Sequence, residues 1–149
     1  MIKQVKELPA KYPDLYRLTD DNRRYGFGYS QSNGGFECGD GWYDLLDELS
    51  NTLVQLLQPY QVSEWPLIYQ VKEKFSTLRF YTGKFPESIR EHAGKAIHHA
   101  EKRSSETCEQ CGEPGKRWGG GWWLTLCVKH ADERRATGRE VIAVADDSD

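Results

Sequence analysis

Three cysteines and one histidine stand in a pattern that can grip a metal ion: Cys108-Glu-Gln-Cys111 and, after fifteen intervening residues, Cys127-Val-Lys-His130. Three thiolates and an imidazole form a complete tetrahedral donor set for zinc, a borderline-soft ion that accepts both sulfur and nitrogen. The two-residue gaps allow both members of a pair to bite the same ion, from a tight turn or from the first turn of a helix. Gly112 follows the second thiolate, where such a turn calls for positive φ. Because the four protein ligands leave no position open for water, the expected role is structural, with one Zn2+ per chain. A redox dithiol is the competing chemistry, and it belongs at a helix start within a βαβ unit. Here Gly112-Glu-Pro-Gly115 follows the pair and breaks any helix, which favours zinc.

The elements that must position these ligands can be read from their neighbours. Lys116–Leu126 reads as two short strands around a Gly119–Gly121 turn, and Ala131–Thr137 as a helix closed by Gly138. Knuckle, hairpin and ligand-bearing helix together resemble a treble-clef zinc finger. Trp118, Trp122 and Trp123 sit on the hairpin as candidate partner contacts. Trp122 and Trp123 are expected to split, one packing on the module and one pointing outward as an anchor.

Upstream, the expected architecture is α+β: helices on a small antiparallel sheet, with residues 1–104 as the body, 105–140 as the zinc module and 141–149 as a short segment with an acidic tail. Trp42, Leu45, Leu46, Leu49, Leu53, Leu56 and Leu57 recur at helical spacing, with Asp40 as the expected N-terminal cap and Pro59 as the stop. Leu67–Phe75 alternates, with Leu67, Tyr69, Val71 and Phe75 on one face. Ser76-Thr77 is the expected turn, and Leu78–Thr82 returns. Pro86 introduces a second helix to about Arg103, with Ile89, Ala93, Ala96, Ile97 and Ala100 as its narrow apolar stripe. Pro13–Leu18 is a possible short helix resting Leu15 and Leu18 on the body, and Tyr25–Tyr29 an aromatic–glycine strand.

Composition narrows the partners. In 149 residues the net charge is −3, which excludes a globally basic nucleic-acid binder. No apolar run reaches membrane-spanning length, and Met1–Tyr16 lacks the apolar core of a signal peptide. Thiols read as zinc ligands then point to a reducing cytoplasm. From Tyr25 to Val71 there is no Lys or Arg, whereas from Lys72 to Arg103 the balance turns basic. Lys72, Lys74, Arg79 and Tyr81 on the hairpin, Lys95 and Lys102 on the following helix, and Lys116 and Arg117 beside the knuckle are the candidate phosphate-tracking set. A divalent-metal nuclease built on Asp44, Asp47, Gln70 and Lys72 is a weaker alternative, because glutamine is a poor ligand and capping or solvation explains the two aspartates. His92, His98 and His99 lack a carboxylate or thiol at ligand spacing and read as a solvated helix face. Cys38 reads as a small buried hydrophobe.

Four segments in order, Cys38-Gly-Asp-Gly-Trp42, Gln70–Phe75, Leu78-Arg-Phe-Tyr81 and Cys108–His130, resemble a group of small uncharacterised proteins of bacteria and their phages. The resemblance covers roughly residues 36–131 and carries no assigned activity. Where that pattern leads one to expect glycine in the hairpin turn, this chain has Ser76-Thr77. The expected function is non-catalytic: a zinc-binding accessory protein, phage-encoded by this resemblance, that binds and inhibits a host protein. An aromatic-rich surface and acidic net charge favour a protein over a nucleic acid as partner.

Overall fold

The computed structural model describes residues 2–23, 27 and 32–144. The expected Tyr25–Tyr29 strand lies outside the described residues except for Phe27, as does the acidic tail Asp146–Asp149. The fold is α+β. Two short helices, α1 (Leu8–Lys11) and α2 (Asp20–Arg23), lead to β1 (Phe36–Glu37) and the long α3 (Tyr43–Leu57). The hairpin β2 (Ile68–Lys74) and β3 (Thr77–Thr82) follows, then α4 (Glu87–Ser104). The C-terminal part carries β4 (Lys116–Gly119), β5 (Leu124–Leu126), α5 (Val128–Ala136) and β6 (Ile142–Ala143).

The leucine stripe explains α3. Leu45, Leu46, Leu49, Leu53 and Leu57 are buried, spaced so that one face meets α4 and joins the core cluster that also holds Ile68, Val71, Leu78 and Phe80 of the hairpin. Asp40 does not cap this helix. It lies in a 3-10 turn over Asp40–Trp42, and its Oδ1 accepts the Val5 N–H at 3.0 Å, tying the N-terminal lead to the helix start. Residues 13–16 form turns instead of a helix; Leu15 is buried and Leu18 is exposed. Tyr16 reaches Ser50 across the core, with 2.6 Å between the hydroxyls, and its ring joins Phe27 and Phe36 in an aromatic cluster.

The first sheet has the order β1-β2-β3, with β1 parallel and β3 antiparallel to β2. A register irregularity between Ile68 and Gln70 resets the alternation. Ile68 and Val71 therefore both face the core, while Tyr69, expected on the face of Val71, is exposed. Beyond the bulge, Lys72 stands opposite Arg79. The outer edge of β3 is covered by α4. The Leu78 N–H donates to Ser104 Oγ at 2.8 Å and the Phe80 N–H to Glu101 Oε2 at 3.1 Å, which removes donors that would otherwise invite another strand.

The hairpin turn is Phe75-Ser76, one residue earlier than expected. Both residues have positive φ, 52° and 77°, although neither is glycine. A two-residue hairpin loop of this kind matches strand twist but strains side chains with a Cβ. Contacts from the C-terminal module hold it. Arg117 Nε donates to Ser76 Oγ at 2.6 Å, Arg117 Nη2 to Phe75 O at 3.2 Å, and Thr125 Oγ1 to Ser76 O at 2.6 Å. Ser76 is fully buried by this grip, and Phe75 is turned outward with 62% of its surface exposed.

Candidate metal centre

Each ligand is placed by its own local backbone. Cys108 enters a tight turn in which its N–H donates to Glu113 O at 2.8 Å and its carbonyl accepts the Gly112 N–H at 2.9 Å. Gly112 has φ +82°, so its glycine serves the turn as expected. Cys127 is the N-cap of α5, and His130 lies in the first turn of that helix, where the Ala131 N–H closes on Cys127 O at 3.0 Å. The β4–β5 pair, in register at Lys116 with Leu126, brings the second ligand pair back over the knuckle.

The four donor atoms converge. All lie within 4.8 Å of one another, and no other group of three or more His, Cys, Asp or Glu among the described residues does so. Cys111 Sγ and Cys127 Sγ are 3.8 Å apart, and Cys108 Sγ lies 3.5 Å from His130 Nδ1. A tetrahedral ion with bonds of about 2.3 Å to sulfur and 2.0 Å to nitrogen separates its ligands by about 3.8 and 3.5 Å, so this set fits such an ion. Cys127 Sγ and His130 Nδ1 are closer, at 3.1 Å. On the other side of the ring, Nε2 faces the Glu133 carboxylate at 3.8 Å, the outer partner that orients a ligating imidazole.

The two intermediate thiols differ in ease of ionisation. Burial acts to raise Cys127, but the His130 backbone N–H, the His130 ring and the neighbouring thiols bring it down to about 7. Burial dominates at Cys111, and despite the Glu113 backbone N–H the surrounding sulfurs help push it up to about 11. A cation between them favours the thiolate at both.

Two seams fasten the centre to the rest of the molecule. At the first, the Gly41 N–H donates to Glu109 O at 2.7 Å and Trp42 Nε1 to Thr107 O at 2.9 Å. A Cβ at Gly41 would sit 2.2 Å from Cys108 O, so the backbone of the knuckle lies directly on this glycine. That contact gives a physical reason for the Cys-Gly-Asp-Gly-Trp segment. Glu109 Oε2 accepts the Gly39 N–H at 2.8 Å, its Oε1 is buried with no hydrogen-bond partner among the described residues, and burial raises the carboxyl to about 7. The second seam is the grip of Arg117 and Thr125 on Ser76. No protein-family model matches this chain, and no curated protein or solved structure matches it.

The three tryptophans fall in two environments. Trp118 is 6% exposed, donates its indole N–H to Leu126 O at 2.9 Å, and is flanked by Lys116 at 4.5 Å and Arg135 at 5.1 Å. It is therefore a core residue of the module and not a contact surface. Trp122 and Trp123 do not split: both are exposed, at 61% and 41%, beyond the end of β4. Together with Phe75, Lys72, Lys74 and Gly121 they line a groove of about 430 Å³. Phe75 was not among the expected site residues, because its period-two position in β2 suggested a core residue. The two adjacent positive φ values explain its outward placement, and no glycine in the sequence signalled them.

The phosphate-tracking set is not gathered into one face. Lys72, Lys74, Arg79 and Tyr81 belong to the hairpin, and among the described residues none of these three cations has an ion-pair partner. Lys95 and Lys102 lie on the solvent side of α4, about 200° around the helix from the buried Ala93 and Ala100, and Lys95 is paired with Glu91 at 3.4 Å. Arg117 is committed to the turn, and Lys116 lies over Trp118. Of the residues considered for a nuclease, Asp47 accepts from Tyr12 Oη at 2.6 Å and pairs with Lys11 at 2.9 Å, and Gln70 donates to Glu37 at 3.3 Å. Among the described residues no metal-holding group of three or more His, Cys, Asp or Glu includes Asp44 or Asp47. His92, His98 and His99 are exposed, and Cys38 is buried in the core, where desolvation raises its thiol well above the ordinary range. Among the described residues no helix is long and apolar enough to cross a membrane.

Proposed function

We propose that this protein is a non-catalytic, cytoplasmic zinc-binding accessory protein that works by binding another protein through the tip of a treble-clef-like module. The observation that carries the reading is the convergence of Cys108, Cys111, Cys127 and His130 within 4.8 Å, with four protein donors and no place left for a reacting water. Zinc is the metal that suits three thiolates, one imidazole and a tetrahedral geometry. Its structural role fits a small second core that buries Cys108, Trp118, Leu126, Ala131 and Val141. Two exposed tryptophans beside it supply the rigid aromatic surface typical of protein contacts. The resemblance to small phage-borne proteins adds that the partner is a host protein held stoichiometrically.

The test uses the full-length, zinc-loaded protein as bait in nuclease-treated bacterial lysate, beside a Trp122→Ser/Trp123→Ser bait. A stoichiometric protein retained by the first and lost from the second supports the reading. Retention of nucleic acid in an untreated lysate, with no protein surviving nuclease treatment, contradicts it.

A second reading rests on the unpaired cations Lys72, Lys74 and Arg79 beside Tyr81, a surface that can track a phosphate backbone. It requires binding to DNA or RNA at low salt that falls steeply as salt rises. Replacing the three cations by Ala would flatten that slope, and the absence of any mobility shift at low salt would remove this reading.

A further inference from the structure

We infer that the groove between the two hairpin tips is built to take an acidic segment carrying one large apolar anchor side chain. The inference rests on the protein-binding reading above and specifies the chemistry of the partner. Three observations meet at this groove. Phe75, Trp122 and Trp123 form its aromatic lining, contributed by two hairpins that are distant in sequence. Lys72 and Lys74 stand on the same wall without ion-pair partners, and Arg79 lies directly across from Lys72 in the register. Lys72 stands between Arg79 on β3 and Glu37 on β1; Glu37 accepts from Gln70 and among the described residues forms no ion pair with Lys72, so the lysine's charge stays available to an anionic partner. The lining also holds one acidic residue, Glu73, whose carboxylate accepts the Ser76 N–H at 2.7 Å, so the two lysines leave the groove wall with a net positive charge.

The Phe75-Ser76 turn supplies the third observation. Two adjacent residues with a Cβ are held in the left-handed region by hydrogen bonds from Arg117 and Thr125. Strained backbone persists where surrounding structure over-determines it, and here the result is a phenyl ring placed outside the core, against the groove. Glycine would suit the turn better and would leave the groove without one wall.

A peptide fits this site better than a nucleic acid. A stacking ladder needs open ring faces in series, but the Arg117 guanidinium covers one face of Trp123 at 5.3 Å and Lys74 lies 5.7 Å from the Phe75 ring centre. Three local cations in a chain of net charge −3 also give little counterion release. Anchor residues that fill an apolar groove, rimmed by charges of the opposite sign, are the recurring design of peptide recognition.

The experiment is fluorescence anisotropy with the zinc-loaded full-length protein and labelled probes. The first probe is a short capped peptide with one Phe flanked on both sides by Asp; in the others, Ala replaces Phe or Lys replaces Asp, and the last is an oligothymidylate. The acidic, Phe-bearing peptide should bind about tenfold or more tighter than either altered peptide and than the oligonucleotide. Phe75→Gly should weaken it about tenfold while the protein stays folded and zinc-loaded. Lys72→Glu/Lys74→Glu should weaken it similarly and transfer preference to the Lys-bearing peptide. Tighter binding of the oligonucleotide, equal binding of the acidic and basic peptides, or no loss with Phe75→Gly would each overturn the inference. If these peptide results fail while lysate capture still depends on Trp122 and Trp123, the protein-binding function stands and only this partner chemistry falls.

Discussion

Helix α3 alone buries Leu45, Leu46, Leu49, Leu53 and Leu57, packs on α4, and shares one core with Ile68, Val71, Trp65, Phe80 and Phe85. Among the described residues, the hydrophobic core of the C-terminal module holds only Trp118, Leu126, Ala131 and Val141 besides Cys108. One region has a large apolar core; the other has a small one beside four converged donor atoms, and on the proposed reading a metal held there supplies its stability. Their difference teaches where the chain can tolerate substitution. A lost leucine in α3 leaves a cavity, costing about 2–5 kcal/mol with the remaining core to support it. On the proposed reading, a lost ligand would remove the principal constraint on residues 108–130. The seams also couple the two regions, since Gly41 and Trp42 sit under the knuckle and Ser76 is held by Arg117 and Thr125.

The largest expected effect comes from breaking the module side. Cys111→Ser should abolish tight zinc binding in metal analysis and unfold the module, because coordination contributes on the order of 10 kcal/mol in small zinc units at neutral pH. Retention of a full equivalent of metal would refute the ligand assignment. Next comes the seam. Arg117→Ala removes a charged donor from Ser76 Oγ and Phe75 O and should cost about 2 kcal/mol in denaturant unfolding. It should also change the tryptophan emission of the hairpin tip, since this guanidinium lies over Trp123. An unchanged midpoint would mean that the seam does not support the turn.

The body side offers a smaller effect with a defined pH dependence. Burial acts to raise Asp47, but the Tyr12 hydroxyl and Lys11 overcome it and hold the carboxyl below its ordinary value. A depressed folded-state value contributes stability above the unfolded pKa and loses it as pH falls through the folded one. Asp47→Asn should therefore cost about 1 kcal/mol or less at neutral pH, after allowance for solvent screening, and the difference should vanish in acid. Zinc content at neutral pH should not change. The smallest expected effect is at the turn, where Phe75→Gly relieves left-handed strain but adds backbone entropy to the unfolded chain. A net gain on the order of 0.5 kcal/mol should appear as a slightly higher unfolding midpoint. A clear loss of stability would show that the phenyl ring supports the fold.

What the sequence disclosed follows from how local each signal is. The α3 stripe and its stop are periodic patterns within one element, and the ligand spacing is a local requirement of metal chelation. Both are present in the structure, together with the β4–β5 pair around the glycine turn and the helix carrying His130. Period-two reasoning failed where a single irregularity between Ile68 and Gln70 shifted the faces, sending Tyr69 outward. The Phe75-Ser76 turn was hidden because its support comes from Arg117 and Thr125, residues far along the chain. The pairings of β1 with β2 and of β6 with β4 are likewise non-local and involve two-residue strands too short to carry a pattern. Trp118 and Trp122 are close in sequence and of the same type. Only the hydrogen bond to Leu126 O and the flanking cations distinguish the buried one from the exposed one.

Hydrogen exchange of the zinc-loaded and chelated protein, read peptide by peptide, is the most direct test of a metal-held module on a self-sufficient body. Chelation should remove protection from about residue 105 onward and from the two seams, Gly39–Trp42 and Phe75-Ser76, while Leu45–Leu57 of α3 keeps its slow exchange. Cooperative loss of protection across α3 and the first sheet would contradict the account, as would full protection of the module without metal.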